Sequence, residues 1–455
     1  MASRASSIAV VVLAAGNGTR MKSGLAKVLH PLAGRPMLSF PLAAADSLKP
    51  ERLVVVVGRD ADRVREAFAE RAIFVSQEEQ RGTGHAVAQA ERALEGFNGD
   101  VLILYGDTPL IRPETLEQMV AAKAETQADL IFLTAEIEVP GIVIRDEAGS
   151  IARIVEATDA TPEELAIRER NTGVYLLSGE LLWKTLTQIG DRNEQGEIYL
   201  TDLVGLSVRD GLRVEGHRMS DPEEAIGVNT RIELASAAAV IRRRKLDQLM
   251  LDGVTVVDPG ATYIDVGVEV GKDTVIEPGC TIQGESSIGV GVHLKPGCMI
   301  ESSRVGDGAI IGPNAHLRPG CVLGSGVRIG NYVEIKNSVL GDGVKADHLS
   351  YIGDADVGAG ASFGCGAITV NFNWQVKGRT TVGEGAKIGC NANLIAPVAI
   401  GKNAAVAAGS TIGKAVPEDA LAVERGQHRN IEGWAARRNA GKASRRTQGD
   451  GEETS

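Results

Sequence analysis

Ile276-Glu277-Pro278-Gly279-Cys280-Thr281-Ile282-Gln283-Gly284-Glu285-Ser286-Ser287-Ile288-Gly289-Val290-Gly291-Val292-His293-Leu294 carries an aliphatic residue at every sixth position. Outward from this stretch the spacing persists over residues 264–412. It runs Ile264, Val270, Ile276, Ile282, Ile288, Leu294, Ile300 and, after a one-residue slip, Val305, Ile311, Leu317, Leu323, Ile329, Ile335. It breaks between Lys345 and Thr381 and returns as Val382, Ile388, Leu394, Ile400, Val406, Ile412. Glycine often follows the aliphatic residue, and a small residue such as Cys280, Ala315, Cys321 or Ala404 stands two positions before the next. A period of six fits neither an amphipathic helix nor a hairpin sheet. It fits a parallel β-helix, in which short strands joined by tight turns stack their inward side chains ~4.8 Å apart, coil on coil. Glycine takes the turn conformations that other residues resist, and the small residue suits a narrow interior.

The chain of 455 residues is long enough for two or three domains. Hydrophobic residues at 43% allow a large core, and aromatics at only 4% suit a solenoid filled by aliphatics. A formal charge of -11 argues against a nucleic-acid protein, though not against local basic pockets for phosphates. All five cysteines (Cys280, Cys298, Cys321, Cys365, Cys390) lie in the repeat region; the odd number suggests reduced thiols in a cytoplasm, and no Cys/His cluster suggests zinc. The apolar run after Arg4 is short and flows into a Gly-rich loop, so it reads as a buried strand rather than a secretory leader. No stretch is long enough to span a bilayer, so no membrane association is expected.

In the N-terminal third, strands are expected at 8–13, 52–57, 73–75 and 101–105, and helices at 37–48, 62–70 and 84–94. Such alternation predicts a doubly wound sheet with its site at the carboxyl ends of the strands. The loop after the first strand contains Gly16 and Gly18, which would let backbone N–H groups approach phosphates. It is neither a Walker loop nor a GxGxxG fingerprint, and a tight turn accounts for it equally well. Residues 231–252 read as a helical linker capped by Thr230, a rigid spacer with Arg242-Arg243-Arg244-Lys245 on a solvated face.

Four motifs together are more specific: Leu13-Ala14-Ala15-Gly16-Asn17-Gly18-Thr19-Arg20-Met21, Lys27-Val28-Leu29, Gly82-Thr83-Gly84-His85-Ala86 and Tyr105-Gly106-Asp107. They resemble the sugar-nucleotidyltransferase (pyrophosphorylase) family, which commonly has proline where Ala26 stands. The hexads resemble the left-handed β-helix acyltransferases, trimers with active sites between subunits. Both halves in one chain resemble, over roughly 8–434, the bacterial family of bifunctional N-acetylglucosamine-1-phosphate uridylyltransferase / glucosamine-1-phosphate N-acetyltransferase enzymes.

That resemblance implies an α/β nucleotidyltransferase domain over 1–230, Rossmann-like with a doubly wound mixed sheet. After the 231–252 linker it implies a left-handed parallel β-helix N-acetyltransferase domain over 253–434, then a disordered tail over 435–455. It implies acetyl transfer from acetyl-CoA to glucosamine 1-phosphate, then uridylyl transfer from UTP with release of pyrophosphate, with Mg2+ as cofactor, in a cytoplasmic homotrimer serving UDP-N-acetylglucosamine synthesis for the cell envelope. A single-activity sugar-1-phosphate nucleotidyltransferase with a structural or regulatory β-helix is the alternative; a non-catalytic assembly protein is a third.

By the same resemblance, Leu13, Ala14, Ala15, Gly16, Gln77, Gly82, Thr83, Tyr105 and Gly106 hold the nucleotide, and Arg20 and Lys27 bind and stabilise its phosphates. Asp107 and Asn229 are hard oxygen ligands of the kind Mg2+ requires; a helix cap or turn explains each of them as well. Gly141, Glu156 and Asn171 read the sugar. In the second half, acetylating an amine requires it neutral, and histidine titrates in the right range to take the proton. His348, in Ala346-Asp347-His348-Leu349-Ser350-Tyr351, matches the family's base. Arg318 and Lys336 follow inward aliphatics, so they should point outward; they match sugar-phosphate ligands, as do Tyr351, Ser362 and Lys377. Asn371 matches a catalytic residue near the amine and thioester. Along the acetyl-CoA groove lie Cys365, Asn371, Phe372, Cys390, Ala408 and Arg425.

Several positions depart from the family pattern. Val139-Pro140-Gly141-Ile142 replaces a longer sugar-side loop, and Asp347 replaces glycine, which is expected to alter the local backbone or raise the pKa of His348. Asn371-Phe372-Asn373-Trp374 replaces Asn-Tyr-Asp-Gly, and Ser362, Cys365 and Cys390 replace Asn, Ala and Ser.

Overall fold

The computed structural model describes residues 7–58 and 60–439. It divides into two compact units, one running to Asp252 and including Tyr263–Val268, the other comprising Gly253–Thr262 and the chain from Glu269 onward.

The first unit is built on one twisted sheet in the order Val214–Arg218, Leu130–Glu136, Glu169–Ser178, Asp100–Tyr105, Ile8–Ala14, Arg52–Val57, Ile73–Ser76. All neighbours pair in parallel except Glu169–Ser178, which runs antiparallel to both of its own. The central strand Ile8–Ala14 shows why an unbroken apolar run was needed. Val10, Val12 and Ala14 enter the core on one face, and Ala9, Val11 and Leu13 the core on the other. A short hairpin, Gly141–Arg145 with Ile151–Glu156, hangs from Glu169–Ser178.

The helix Arg231–Leu251 begins at a capping box: the Thr230 side chain accepts from the Glu233 N–H, and Glu233 accepts from the Thr230 N–H. It falls within the first unit. Ala237 and Ile241 pack with Leu32, Met37, Leu110 and Val228 in the first unit. Its basic run is only partly solvated: Arg243 is exposed, and the other three are half-buried. Arg242 lies 4.3 Å over the Tyr263 ring, Arg243 pairs with Glu223, and Arg244 pairs with Asp221 and donates to the Leu110 carbonyl. These cations clamp the helix to its own unit, which answers how an acidic chain accommodates four consecutive basic residues.

The second unit is a parallel β-helix with three faces. One face stacks Ile276, Leu294, Ile311, Ile329, Ala346, Phe363, Ile388 and Val406. Another stacks Ile282, Ile300, Leu317, Ile335, Ile352 and, higher up, Thr369, Leu394 and Ile412. The third stacks Val270, Ile288, Val305, Leu323, Leu340, Val357, Val382 and Ile400. Every one of these side chains but Val270 is buried.

The interruption expected between 345 and 381 is mostly not one. The coil continues through Leu340, Ala346, Ile352, Val357, Phe363 and Thr369. One-residue shortenings before Leu340 and again before Val357 shift the phase, and Ala, Phe and Thr replace aliphatics, so the period disappears from view while the geometry persists. The excursion is confined to residues 371–378, closed where the Gly378 N–H donates to the Asn371 carbonyl at 2.8 Å. Beyond the last coil, residues 434–439 are helical. Residues 435–439 thus open as helix the tail expected to be disordered; its remainder, 440–455, lies outside the described residues.

Candidate active sites

The first site forms where three strands end side by side. Leu13 stands beside Tyr105, and Ala14 beside Val57. The loop after Ala14 then passes the ends of the other two strands. At Gly58 a Cβ would lie 2.3 Å from the Ala15 carbonyl oxygen, so only glycine permits the approach. Gly18 adopts a positive φ of 59°, and a Cβ there would strike Lys27 Cβ at 2.8 Å. Glycine here is what lets the segment carrying Lys27 close over the loop.

A cavity of about 220 Å³ results, lined by Leu13, Ala14, Ala15, Gly16, Lys27, Gln77, Gly82, Thr83, Tyr105 and Asp107 among others. Ten residues expected to hold nucleotide or metal thus share one cavity. Gln77 is buried, and its side-chain amide donates to the Gly82 carbonyl at 3.1 Å, tying two of them together. The Thr83 hydroxyl accepts from the Leu200 N–H at 3.0 Å. Burial, with the nearby Glu156 and Asp107 carboxylates, raises the Tyr105 pKa, keeping the phenol neutral. Its ring rests against Gly173, whose positive φ and close approach exclude any side chain.

The Lys27 ammonium donates to the Asp107 carboxylate and, at 3.0 Å, to Asn229 Oδ1. One point in space is therefore within reach of both oxygens, although Asn229 comes from far along the chain. A carboxylate and an amide oxygen converging on a cation are a donor set that suits Mg2+, with phosphates and water completing its shell. Asn229 is not the helix cap; Thr230 is, and Glu233 holds the Asn229 N–H at 2.7 Å. Arg20 is exposed in the turn Thr19–Met21, and its charge reaches Glu233.

Of the residues expected to read the sugar, Asn171 and Gly141 pack together and Glu156 lines a second cavity. Asn171 is buried with its amide committed, donating to the Tyr175 hydroxyl at 2.7 Å and accepting from the Gly173 N–H at 3.1 Å. It supports Gly173 and hence Tyr105. Gly141 packs against it, where a Cβ would come within 3.2 Å of Asn171 Cβ. Glu156 lines a separate cavity of about 500 Å³ with Tyr199, Thr201 and Asp202, and accepts from the Thr201 hydroxyl at 3.1 Å. Burial raises its pKa, and Asp159, Asp202 and Glu197 add to the rise against that hydrogen bond. Gln80, which sequence reading missed, donates to the Ala15 carbonyl and pins the loop; only its place in the folded cavity reveals it.

In the solenoid, Arg318 and Lys336 occupy equivalent positions of neighbouring coils, each following a buried aliphatic. Arg318 pairs with Glu334 at 3.1 Å. Tyr351 stands on the next coil, opposite Glu334. The Asn371 amide donates to the Tyr351 hydroxyl at 3.3 Å and to Asp354 at 2.5 Å. Burial opposes charge on Asp354. The hydrogen bonds from Asn337 and Asn371 and the nearby Lys336 and Lys377 ammonium groups outweigh it and lower its pKa. Asp354 is thus a hub of the cluster that sequence reading missed.

His348 ends the strand Lys345–His348 and is exposed. Its Nδ1 lies 2.9 Å from Oδ1 of Asn331, its register partner one coil below. An amide oxygen only accepts, so a proton on Nδ1 would complete this bond, with Nε2 free of the contact. Asn331 was also missed; reading the shortened coils through would have placed it beneath His348. Asp347 does not turn to the histidine but pairs with Arg328 at 3.3 Å.

The register continues upward. The turn positions after Phe363, Ile388 and Val406 fall to Cys365, Cys390 and Ala408, so these form one column above His348. Ser362 opens the strand that leads into Cys365 on the same coil, and Arg425 is exposed past the last coil. Phe372 packs edge-on to Trp374 at 6.3 Å in the 371–378 excursion, where Phe372 bridges Lys377.

Two family models match the chain. The MobA-like NTP transferase domain covers residues 10–195, and the bacterial transferase hexapeptide repeat covers 302–337 and 379–414. The chain is 45% identical to the bifunctional protein GlmU of Geobacter metallireducens, over 94% of this chain and 98% of that one. It is 46% identical to GlmU of Geobacter sulfurreducens, over 95% and 99%, and 44% identical to GlmU of Listeria monocytogenes, over 95% and 99%.

Proposed function

The chain belongs to the bifunctional GlmU family, and from that premise we propose how its two sites divide the work. The enzyme acetylates glucosamine 1-phosphate with acetyl-CoA and couples N-acetylglucosamine 1-phosphate to UTP, giving UDP-N-acetylglucosamine and pyrophosphate. In the first unit, the loop 13–16 with Gln77, Gly82 and Thr83 holds the nucleotide, and Lys27 and Arg20 stabilise charge on the phosphoryl oxygens as the sugar phosphate attacks the α-phosphorus. Asp107 and Asn229 would hold Mg2+, which when bound neutralises phosphate charge. In the second unit, His348 Nε2 takes a proton from the sugar ammonium. The freed amine attacks the thioester carbonyl, the nitrogen gives up its second proton to the departing sulfur, and coenzyme A leaves as the thiol. Arg318, Lys336, Tyr351 and Lys377 hold the sugar phosphate, the arginine as a fork and the lysines as point charges. The coenzyme lies along the Cys365–Cys390–Ala408 column toward Arg425, in a homotrimer working in the cytoplasm. The hexapeptide match supports oligomerisation, and no helix among the described residues is long and apolar enough to cross a membrane.

One observation favours two activities over a nucleotidyltransferase with a structural β-helix: the solenoid presents an exposed histidine whose Nδ1 lies 2.9 Å from Asn331 Oδ1 and whose Nε2 is free of that contact. The test supplies glucosamine 1-phosphate, acetyl-CoA, UTP and Mg2+, and follows free thiol and pyrophosphate separately. Both signals are expected. Pyrophosphate from pre-acetylated substrate with no thiol release would leave only the single-activity reading.

A further inference from the structure

The column above His348 contains two thiols on consecutive coils. Strands Ser362–Phe363 and Lys387–Ile388 pair in parallel, Ser362 with Lys387 and Phe363 with Ile388, so Cys365 and Cys390 take the same turn position. The Asn391 N–H donates to the Cys365 carbonyl at 2.8 Å, which carries the register past the strands. Backbones one rung apart lie ~4.8 Å from each other, inside the ~4.4–6.8 Å Cα separation that a disulfide spans. The sulfur of Cys390 leans toward the lower coil, 2.9 Å from where a Cβ on Gly364 would stand, and Gly364 directly precedes Cys365. Both thiols are free; Cys390 is exposed and Cys365 half-buried.

The other three cysteines are buried, including Cys280 and Cys298, which also neighbour each other on consecutive coils. Cys280, Cys298 and Cys321 are at most 1% exposed and donate to the carbonyls of Lys295, Ile311 and Arg318. Position alone therefore sorts one residue type into three interior fillers and two reachable, adjacent thiols. Accessible thiols beside a resolving partner are the ones that respond to oxidants, and exposed disulfides are the ones readily reduced again.

We propose that Cys365 and Cys390 form a reversible dithiol–disulfide site, closed by small-molecule disulfides that the coenzyme groove admits, and that closing it stops acetyl transfer while uridylyl transfer continues. The proposal rests on assigning this column to coenzyme A. The Cys390 thiolate attacks a small disulfide, RS–SR, forming Cys390–S–S–R and expelling one thiolate. The Cys365 thiolate then attacks the Cys390 sulfur and expels the second. Two protein thiols become one disulfide, one small disulfide becomes two thiols, and the two protons lost by the protein end on the released thiols. In the mixed disulfide R occupies the groove, and in the closed form both sulfurs are drawn together at the corner along which the coenzyme would lie.

The experiment treats the reduced full-length protein with coenzyme A disulfide or, separately, oxidised glutathione. Free thiols are counted, cross-linked peptides mapped, and both activities measured before and after re-reduction. Expected are the loss of two of the five thiols, a 365–390 cross-link forming faster with the coenzyme disulfide, and a roughly tenfold or greater fall in acetyl transfer that reduction reverses. Pyrophosphate release should be unchanged. Cys365→Ser should halt at a mixed disulfide on Cys390, and Cys390→Ser should lose the coenzyme preference, each compared with its own reduced form. No 365–390 cross-link, equal rates with both disulfides, or a cross-link without effect on acetyl transfer would overturn the proposal. Absence of acetyl transfer in the reduced protein would instead overturn the proposed acetyltransferase function, and the cross-link mapping would still stand on its own.

Discussion

His348 shows how little a residue's identity says before its neighbours are known. A histidine in a loop motif suggests a base; the Asn331 oxygen 2.9 Å from Nδ1 leaves Nε2 as the nitrogen free of that contact. Asn331 is a positioning residue. Asn331→Ala should lower kcat for acetyl transfer roughly 10- to 100-fold with KM for the sugar phosphate little changed. Asn331→Asp should restore much of the rate and move the acidic limb of the pH–rate profile upward, because a carboxylate beside the ring raises its pKa and the base must be unprotonated. An unshifted profile in Asn331→Asp would mean that the contact only props the loop. Glu156 makes a second residue-scale prediction. Burial raises its pKa in the folded protein, so the native state holds its proton more tightly than the unfolded chain does. That favours folding below the unfolded pKa, and the advantage is lost as pH rises through the folded one. Glu156→Gln should therefore raise the unfolding midpoint at neutral pH, and the gain over the parent should vanish as pH falls below the usual carboxylate range. Thermal unfolding of both proteins across that range checks it.

At the scale of elements, the strand ends of the first unit approach more closely than side chains allow. Gly58→Ala would set a methyl against the Ala15 carbonyl. It should destabilise by about 1–3 kcal/mol and depress uridylyl transfer roughly tenfold or more by moving the loop, while leaving acetyl transfer intact; denaturant melts and the pyrophosphate assay read the two effects. The central strand was legible because both of its faces are buried, leaving no place for a polar residue. The solenoid was legible wherever the period held at six. It became illegible from Leu340 to Thr369, where a shorter turn and the inward residues Ala346, Phe363 and Thr369 erased the aliphatic mark without changing the coil. The helix Arg231–Leu251 was recognisable from its cap and composition, but its packing was not, because cations that clamp and cations that face water look alike in sequence.

At the scale of the molecule, the two sites draw on separate units and should fail separately. His348→Ala should reduce thiol release by at least roughly 10²-fold and leave pyrophosphate release near the parent level. Asp107→Ala should do the reverse, since it removes one of the two oxygens that converge on Lys27. Loss of both signals from either substitution, in protein that still folds, would refute independent sites.

Sequence alone determined the architecture. Hydrophobic period and glycine placement are local consequences of strand, turn and coil geometry, so an α/β unit followed by a six-residue solenoid could be read without coordinates. The resemblance of its motifs to the nucleotidyltransferases also marked most of the residues that line the cavity of about 220 Å³. What tertiary structure alone decided was partnership: the Lys27 ammonium held between Asp107 and Asn229, Asp354 bonded to Asn371, Asn171 turned inward to hold Gly173. Such pairings depend on the number of residues in each coil and loop between the partners, and one residue more or less redirects a side chain to a different face.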